Sequence, residues 1–377
     1  MNTPLDTDAT TRTRVPQPQY ENQERTFARA FDLLKDALER RVFPGASVAV
    51  THSGNMVALN AVGQFTYEQV SPKVSTDTAF DVASLTKVIA TTSMAMILYE
   101  RGLLDLEMPI AQALPEFRGA DEQREAVTFR QLLAHSSGLP AYEKLFLRAR
   151  DKEELLRGAF SVPLKYSPGT HAEYSDIGFI LLGVALERIA NQALDSFCQK
   201  EVFGPLGMCH TTYNPPASWK SRVPPTANDE TFRKRIIQGE VNDENASVMG
   251  GVAPHAGLFS TASDMAFFAH AILSGGAPIL RPETVRIFTQ RQAFPTGTSR
   301  TLGWDTPSGD SQSGRYFSRS SFGHLGYTGT SLWIDPERRI SVTLLTNRTW
   351  PDCSNKAITE VRPKFHDAVM ECLGVGG

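Results

Sequence analysis

Phe80-Asp81-Val82-Ala83-Ser84-Leu85-Thr86-Lys87 runs on into Val88-Ile89-Ala90 and an apolar stretch through Ile97-Leu98-Tyr99, and it holds the chain's sole S-x-x-K. The apolar run predicts a buried helix that ends near Arg101-Gly102. A serine and a lysine three residues apart on a helix share one face, so the amine of Lys87 reaches the hydroxyl of Ser84 without a long loop to deliver it. The helix start adds free backbone N–H groups and the positive end of the dipole where an oxyanion would form. Composition alone yields roughly one such match in a chain of this size, so Ser84 and Lys87 need company elsewhere.

The bulk numbers describe an ordinary globular chain. At 377 residues and 41% hydrophobic composition it is long enough for one large or two intimately joined domains. A net charge of -3 provides no basic field for nucleic acid or an anionic membrane, so no nucleic-acid partner is expected. No apolar run reaches the length of a membrane span. Cys198, Cys209, Cys353 and Cys372 lie far apart with no C-x-x-C, which argues against a zinc site and a disulfide framework; they are expected as reduced thiols packed like small hydrophobes. The polar segment 1–23 reads as a disordered tail without the apolar core of a signal peptide. The expected location is therefore the cytoplasm as the sequence stands, or the periplasm if a leader has been removed.

Strand and helix signals arrange these pieces. Phe27, Ala30, Phe31, Leu34 and Leu38 recur at helical spacing between Glu24 and Arg41, and Pro44-Gly45 stops the pattern. Ala46–Thr51 and Met56–Val62 are β-rich runs joined by Ser53-Gly54-Asn55, a hairpin signal. Near the other end, Ser331–Ile334 and Ile340–Thr346 flank an Asp335-Pro336-Glu337-Arg338 turn, and a helix is expected from about Asn355 to Leu373. The expected fold is α+β: an antiparallel sheet flanked by helices, built from 24–83 and 236–377, with a mainly helical insertion over 84–235. Helices are expected at Phe129–His135, Lys152–Ala159 and Ile177–Ala190. The Gly- and Ser-rich stretch 289–321 reads as a functional wall or surface excursion.

A serine-lysine nucleophile needs a further proton carrier, an oxyanion hole and substrate contacts. Tyr174-Ser175-Asp176 is a candidate for the first, although Tyr174 reads equally well as an aromatic at a helix start and Asp176 as its N-cap. Gly323-His324-Leu325-Gly326-Tyr327-Thr328-Gly329 leads straight into the strand at Ser331. Its glycines allow a close approach to an edge strand, His324 and Gly326 would meet substrate, and the N–H of Tyr327 pairs with that of Ser84 as oxyanion donors. A second H-x-G, His255-Ala256-Gly257, precedes a capped helix at Ser263-Asp264 rather than a strand, so His255 is read as structural or as a support behind the groups that meet substrate. The run Gly239–Ala246, ahead of Met249-Gly250-Gly251, reads as a solvated face or, alternatively, as a cleft wall.

The order S-x-x-K, then Y-S-D about ninety residues on, then H-x-G before a C-terminal strand, resembles the serine β-lactamase and penicillin-binding-protein superfamily, on the branch of class C β-lactamases, D-Ala-D-Ala peptidases and related esterases. Leu132-Leu133-Ala134-His135-Ser136-Ser137-Gly138-Leu139-Pro140, Tyr166-Ser167-Pro168-Gly169 and Gly326-Tyr327-Thr328-Gly329-Thr330 are similar in style, and the likeness spans about 25–372. The resemblance implies a groove between sheet and helical domain, Ser84 as acylating nucleophile, Lys87 and Tyr174 exchanging its proton, and Ser84 and Tyr327 as oxyanion donors. It implies no metal and no organic cofactor. It also implies a serine hydrolase acting through an acyl-enzyme on a small ester, amide or peptide. The alternatives are D-alanyl-D-alanine carboxypeptidase or β-lactamase action and, in a different class, a non-catalytic ligand sensor.

Two departures bear on substrate. Asp176 stands where the branch usually has asparagine, and a carboxylate accepts where an amide also donates, so Asp176 either meets a different substrate or turns toward Lys87 and keeps it charged. His324 stands where lysine is usual, which removes a permanent cation and predicts a mostly neutral site, suited to an ester or amide without a carboxylate. The 239–251 run resembles a subgroup near penicillin-binding proteins of cell-wall turnover.

Overall fold

Side chains that alternate between two cores explain the sheet. In the computed structural model, which describes residues 15–309 and 311–376, six strands pair in the order β1-β3-β2-β11-β10-β9. They are β1 (Gln17–Pro18), β2 (Gly45–His52), β3 (Asn55–Gly63), β9 (Phe322–Leu325), β10 (Ser331–Asp335) and β11 (Ile340–Thr346). Val48, Val50, Trp333, Val342 and Leu344 point into one core with Phe31, Leu34 and Phe365, while Ala49, Leu332, Ile334 and Leu345 point into the other. The helices Ala28–Glu39 and Ile358–Cys372 belong to the first core, and Ala262–Leu273 covers the opposite face. All ladders of this sheet are antiparallel except the short β1–β3 pair, which is parallel.

The two expected hairpins close as their turn residues require. Ser53 and Gly54 both have positive φ, at 50° and 91°, the two-residue turn whose twist matches the strands it joins. β11 lies between β2 and β10, so the first hairpin and the last one share a single ladder: Val342 pairs with Val50 and Leu344 with Val48. Smaller pieces complete the structure: β4 (Phe80–Asp81) and β5 (Thr212–Tyr213) flank β8 (Leu258–Ser260), and β6 (Ala227–Asp229) pairs with β7 (Arg235–Ile237). Helices dominate from 85 to 206, including Phe129–Leu133, Lys152–Ser161 and Asp176–Ala190. No single helix among the described residues is long and apolar enough to cross a membrane.

Four expectations need correction. The tail is ordered from Val15: β1 adds to the sheet edge, with Gln17 N donating to Gly54 O, whereas residues 1–14 lie outside the described residues. The first helix breaks at Phe27, whose φ and ψ of -104° and 19° cap Gln23–Thr26 before Ala28–Glu39 begins. The helix after Ser84 is not α throughout, since Lys87–Thr92 winds as a π-helix before Ser93–Glu100. Of the cysteines only Cys198 packs as a buried hydrophobe; Cys209 and Cys353 are exposed.

A turn between β9 and β10 locks the sheet to the segment that carries Ser84. Thr328 Oγ1 donates to Asp81 O at 2.7 Å and Thr330 Oγ1 to Val82 O at 3.0 Å. Gly326 is required here, because a Cβ would lie 1.9 Å from Thr330 Oγ1 and 2.5 Å from Val82 O. Behind the turn, buried Arg362 donates to Gly326 O at 2.6 Å and Thr330 O at 3.0 Å. Arg362→Met should leave both carbonyls short of a charged donor and lower stability by about 2–4 kcal/mol, read as a fall in the urea midpoint at unchanged m-value.

Candidate active site

Ser84 sits on a tight turn between β4 and the helix. Asp81 makes the turn by accepting Ala83 N at 2.8 Å through one oxygen, and it accepts Asn242 N at 2.7 Å through the other. Ala83, immediately before Ser84, has φ of +49°, a conformation rare outside glycine and one that places Ser84 at the head of the helix. Burial pushes the Asp81 carboxyl up to about 6, against the pull of those two N–H groups. Two hydroxyls accompany the π stretch that follows: Thr91 Oγ1 donates to Pro254 O at 2.6 Å and Ser93 Oγ to Val88 O at 3.2 Å.

Three side chains meet at the Ser84 oxygen. Lys87 Nζ lies 3.1 Å from Oγ, and Tyr174 OH lies 2.8 Å from it. Lys87 is fully buried; its ammonium also donates to His255 O at 2.9 Å and faces Asp176 Oδ1 at 2.6 Å. Burial works to lower the Lys87 pKa, but the Asp176 carboxylate and Tyr174 outweigh it, and the net direction is upward. Burial pushes the Tyr174 phenol up to about 12, an effect the Lys87 cation reduces. Ammonium and phenol are therefore the resting forms near neutral pH. Of the two expectations for Asp176, the geometry has the turn toward Lys87.

Tyr174 and Asp176 owe their placement to the start of the helix Asp176–Ala190. The N-cap is Ser175, not Asp176: its Oγ accepts Gly178 N at 3.0 Å and donates to Pro140 O at 2.7 Å. Ser175 N in turn donates to His135 Nδ1 at 3.0 Å, and the His135 ring packs 4.7 Å from that of Tyr174. His135 thus acts as a backstop for the phenol. It lies inside a motif quoted for the resemblance, but its function as a support becomes visible only from these contacts.

His324 lies on β9 with its ring 5.8 Å from that of Tyr174. Its Nδ1 is 2.7 Å from Leu325 O, so that nitrogen carries the proton and Nε2 presents a lone pair. Burial, with Lys87 and Arg300 nearby, drives its pKa down to about 3, and the imidazole is neutral. The expectation of a mostly neutral site nevertheless needs correction, because the 289–321 stretch carries a cation into it. Arg300 Cζ stands 5.6 Å from the Tyr174 ring centroid. Nothing in the local sequence singles out Arg300 from other loop arginines.

Tyr327 follows Gly326 in the locked turn, and its ring is half exposed at the rim. Among the described residues, no hydrogen bond uses the backbone N–H of Ser84 or of Tyr327. Of the two expectations for His255 the geometry has the support, since its carbonyl accepts from Lys87 Nζ; contrary to expectation it precedes a strand, β8, before the helix Ala262–Leu273, whose N-cap is Thr261. Its Nε2 lies 2.9 Å from Asp243 Oδ1. The 239–246 run is accordingly a clamp and no solvated face: Asn242 N binds Asp81, and buried Asn245 bridges Phe146 N and Glu143 O. Among the described residues, no group of three or more His, Cys, Asp or Glu side chains is placed to hold a metal ion.

A sandwich of helices around an antiparallel sheet, with an S-x-x-K serine touching its lysine and a tyrosine, is the architecture of the penicillin-recognising class of hydrolases. The sequence profile described as Beta-lactamase matches residues 30–362, and the chain belongs to that family. It is similar to an N-acetylmuramyl-L-alanine amidase of Bacillus subtilis, at 32% identity over 345 positions, covering 81% of this chain and 77% of the relative. A putative D-alanyl-D-alanine carboxypeptidase of Escherichia coli is 31% identical over 307 positions, covering 73% and 70%. The fold superposes on EstCE1, a hydrolase with promiscuous acyltransferase activity, with a TM-score of 0.73 at 21% identity, covering 92% of this chain and 99% of that one. The Asp176 carboxylate opposes ionisation of the Tyr174 phenol, so Asp176→Asn should lower the apparent pKa of the rising limb of kcat/KM. A pH–rate profile of both proteins checks this, and an unmoved limb would separate Asp176 from the titration.

Proposed function

We propose that the protein is a serine hydrolase that opens an ester or amide bond through an acyl-enzyme on Ser84. One observation carries the reading: the Ser84 oxygen lies within hydrogen-bond reach of both Lys87 Nζ and Tyr174 OH, at 3.1 and 2.8 Å. In the minor ionised form, reached when Tyr174 releases its proton to solvent and the adjacent Lys87 cation stabilises the phenolate, Ser84 Oγ attacks the carbonyl carbon as its own proton passes to Tyr174. The carbonyl oxygen becomes an oxyanion facing the N–H groups of Ser84 and Tyr327. Collapse breaks the bond to the leaving oxygen or nitrogen, which takes the proton back from Tyr174. Water then repeats the sequence on the acyl group and releases the acid.

The names of the relatives support an amide of the cell-wall peptide class as substrate. Neutral His324 in place of lysine favours a second reading, an ester without a carboxylate, against which the Arg300 cation beside Tyr174 weighs. A non-catalytic ligand sensor finds no support, since Ser84, Lys87 and Tyr174 are all present and in contact. Ser84→Ala should abolish labelling by a fluorophosphonate probe and lower turnover by about 10³-fold or more across a panel of aryl ester, chromogenic cephalosporin and D-Ala-D-Ala peptide. Undiminished labelling of the variant would overturn the assignment, and a cephalosporin cleaved far faster than the other two would replace the substrate class.

A further inference from the structure

Three segments of the site converge on one buried residue. Asp81 is 2% exposed; one carboxylate oxygen accepts Ala83 N at 2.8 Å, the other accepts Asn242 N at 2.7 Å, and its carbonyl accepts Thr328 Oγ1 at 2.7 Å. The Ser84 turn, the 239–246 run and the turn that carries Tyr327 are thus all tied to it. Asp243, next along the run, lies 2.9 Å from His255 Nε2, and His255 O accepts Lys87 Nζ at 2.9 Å. The Asp81 carboxylate therefore links the turn that holds Ser84 to the segment that supports Lys87.

The fold gains little from this charge. Burial opposes it and pushes the Asp81 carboxyl up to about 6, and the Asp243 carboxylate adds to the rise. Arg233, in the β6–β7 hairpin, is the cation that favours ionisation, but it is spent elsewhere. It pairs with Asp229 at 3.0 Å and donates to Val241 O and Asn242 O at 2.6 and 2.7 Å. β8 opposes Asp81 with Phe259 and the turn 326–330 with the Thr328 hydroxyl, and neither is charged. A carboxyl whose folded pKa lies above its unfolded value contributes stability that grows as pH falls, so the ionised form weighs against the fold at neutral pH. What the charge provides is local. A protonated carboxyl keeps one good acceptor and would release one of the two N–H groups. Ala83, at φ of +49°, holds that conformation only where its surroundings enforce it.

We infer that Asp81 is a positioning residue for the reaction at Ser84: its carboxylate, accepting through both oxygens, holds Ala83 left-handed and keeps Ser84 within reach of Lys87 and Tyr174. The inference rests on the serine-hydrolase reading, in which the Tyr174 phenolate is also required. Reaction at Ser84 then needs two ionisations below the Asp81 transition and one above it.

The test follows the rate of fluorophosphonate labelling of the full chain from about pH 4.5 to pH 8. The logarithm of the rate should rise with a slope of about two below a break near pH 6 and about one above it. Asp81→Asn should show the single slope throughout and label about tenfold more slowly at the upper end. Arg233→Gln, which removes the cation that favours ionisation, should move the break upward. Urea midpoints give the readout that a purely structural residue would not: on acidification from about pH 7.5 to pH 5, wild type should gain stability relative to Asp81→Asn while its labelling slows. A single slope in wild type overturns the proposal without any variant. A break that persists in Asp81→Asn assigns it to another group, such as the Asp243–His255 pair, and overturns it too. So does a break unmoved in Arg233→Gln, or a wild-type midpoint that falls relative to Asp81→Asn. No labelling at any pH refutes the serine-hydrolase reading instead.

Discussion

An ammonium group with no access to water organises the centre of this protein. Lys87 is wholly enclosed, and a cation moved out of water is tolerated only where charge and hydrogen-bond acceptors surround it. Asp176 provides the countercharge, while His255 O and Ser84 Oγ provide the remaining acceptors. These partners come from the start of one helix, from the loop before β8 and from the same turn as the lysine. Satisfying one ion therefore draws three distant segments together. The same arrangement holds the serine oxygen against an amine kept charged by Asp176 and a phenol kept protonated by burial.

A second constraint positions the far wall. The turn 326–330 carries Tyr327 and is bolted through Thr328 and Thr330 to the carbonyls of Asp81 and Val82, just before Ser84. Arg362 reaches the same turn from the C-terminal helix. Edge strand, Ser84 turn and terminal helix are therefore joined by direct hydrogen bonds. The two free backbone N–H groups keep their separation because carbonyl and hydroxyl partners one or two residues away are fixed.

Much of this was legible from residues alone where the signal is local. Both hairpins, the helix 176–190 and the mixed α+β architecture follow from period-two and helical spacing and from turn residues such as Ser53-Gly54. The failures share a cause. β1 carries no strand signal, because two residues added to an edge are held by the backbone of a partner. The π-helix after Lys87 obeys the same apolar pattern as an α-helix, and its hydroxyls find partners, such as Pro254 O, that are remote in sequence. Gly239–Ala246 looks like an exposed acidic loop until Asn242, Asp243 and Asn245 are seen binding Asp81, His255 and Phe146.

From order and spacing alone, the chain determined which chemistry is carried: a serine with a lysine one turn away, a tyrosine ahead of a helix, and glycines at a strand edge. Tertiary structure alone decided the electrical state of that chemistry. It turned Asp176 onto Lys87, fixed opposite tautomers on His135 and His324, and delivered Arg300 from a loop with no motif. Residue order encodes neighbours along the chain, whereas proton affinity depends on charges and solvent within a few ångströms in space, which only the folded arrangement specifies.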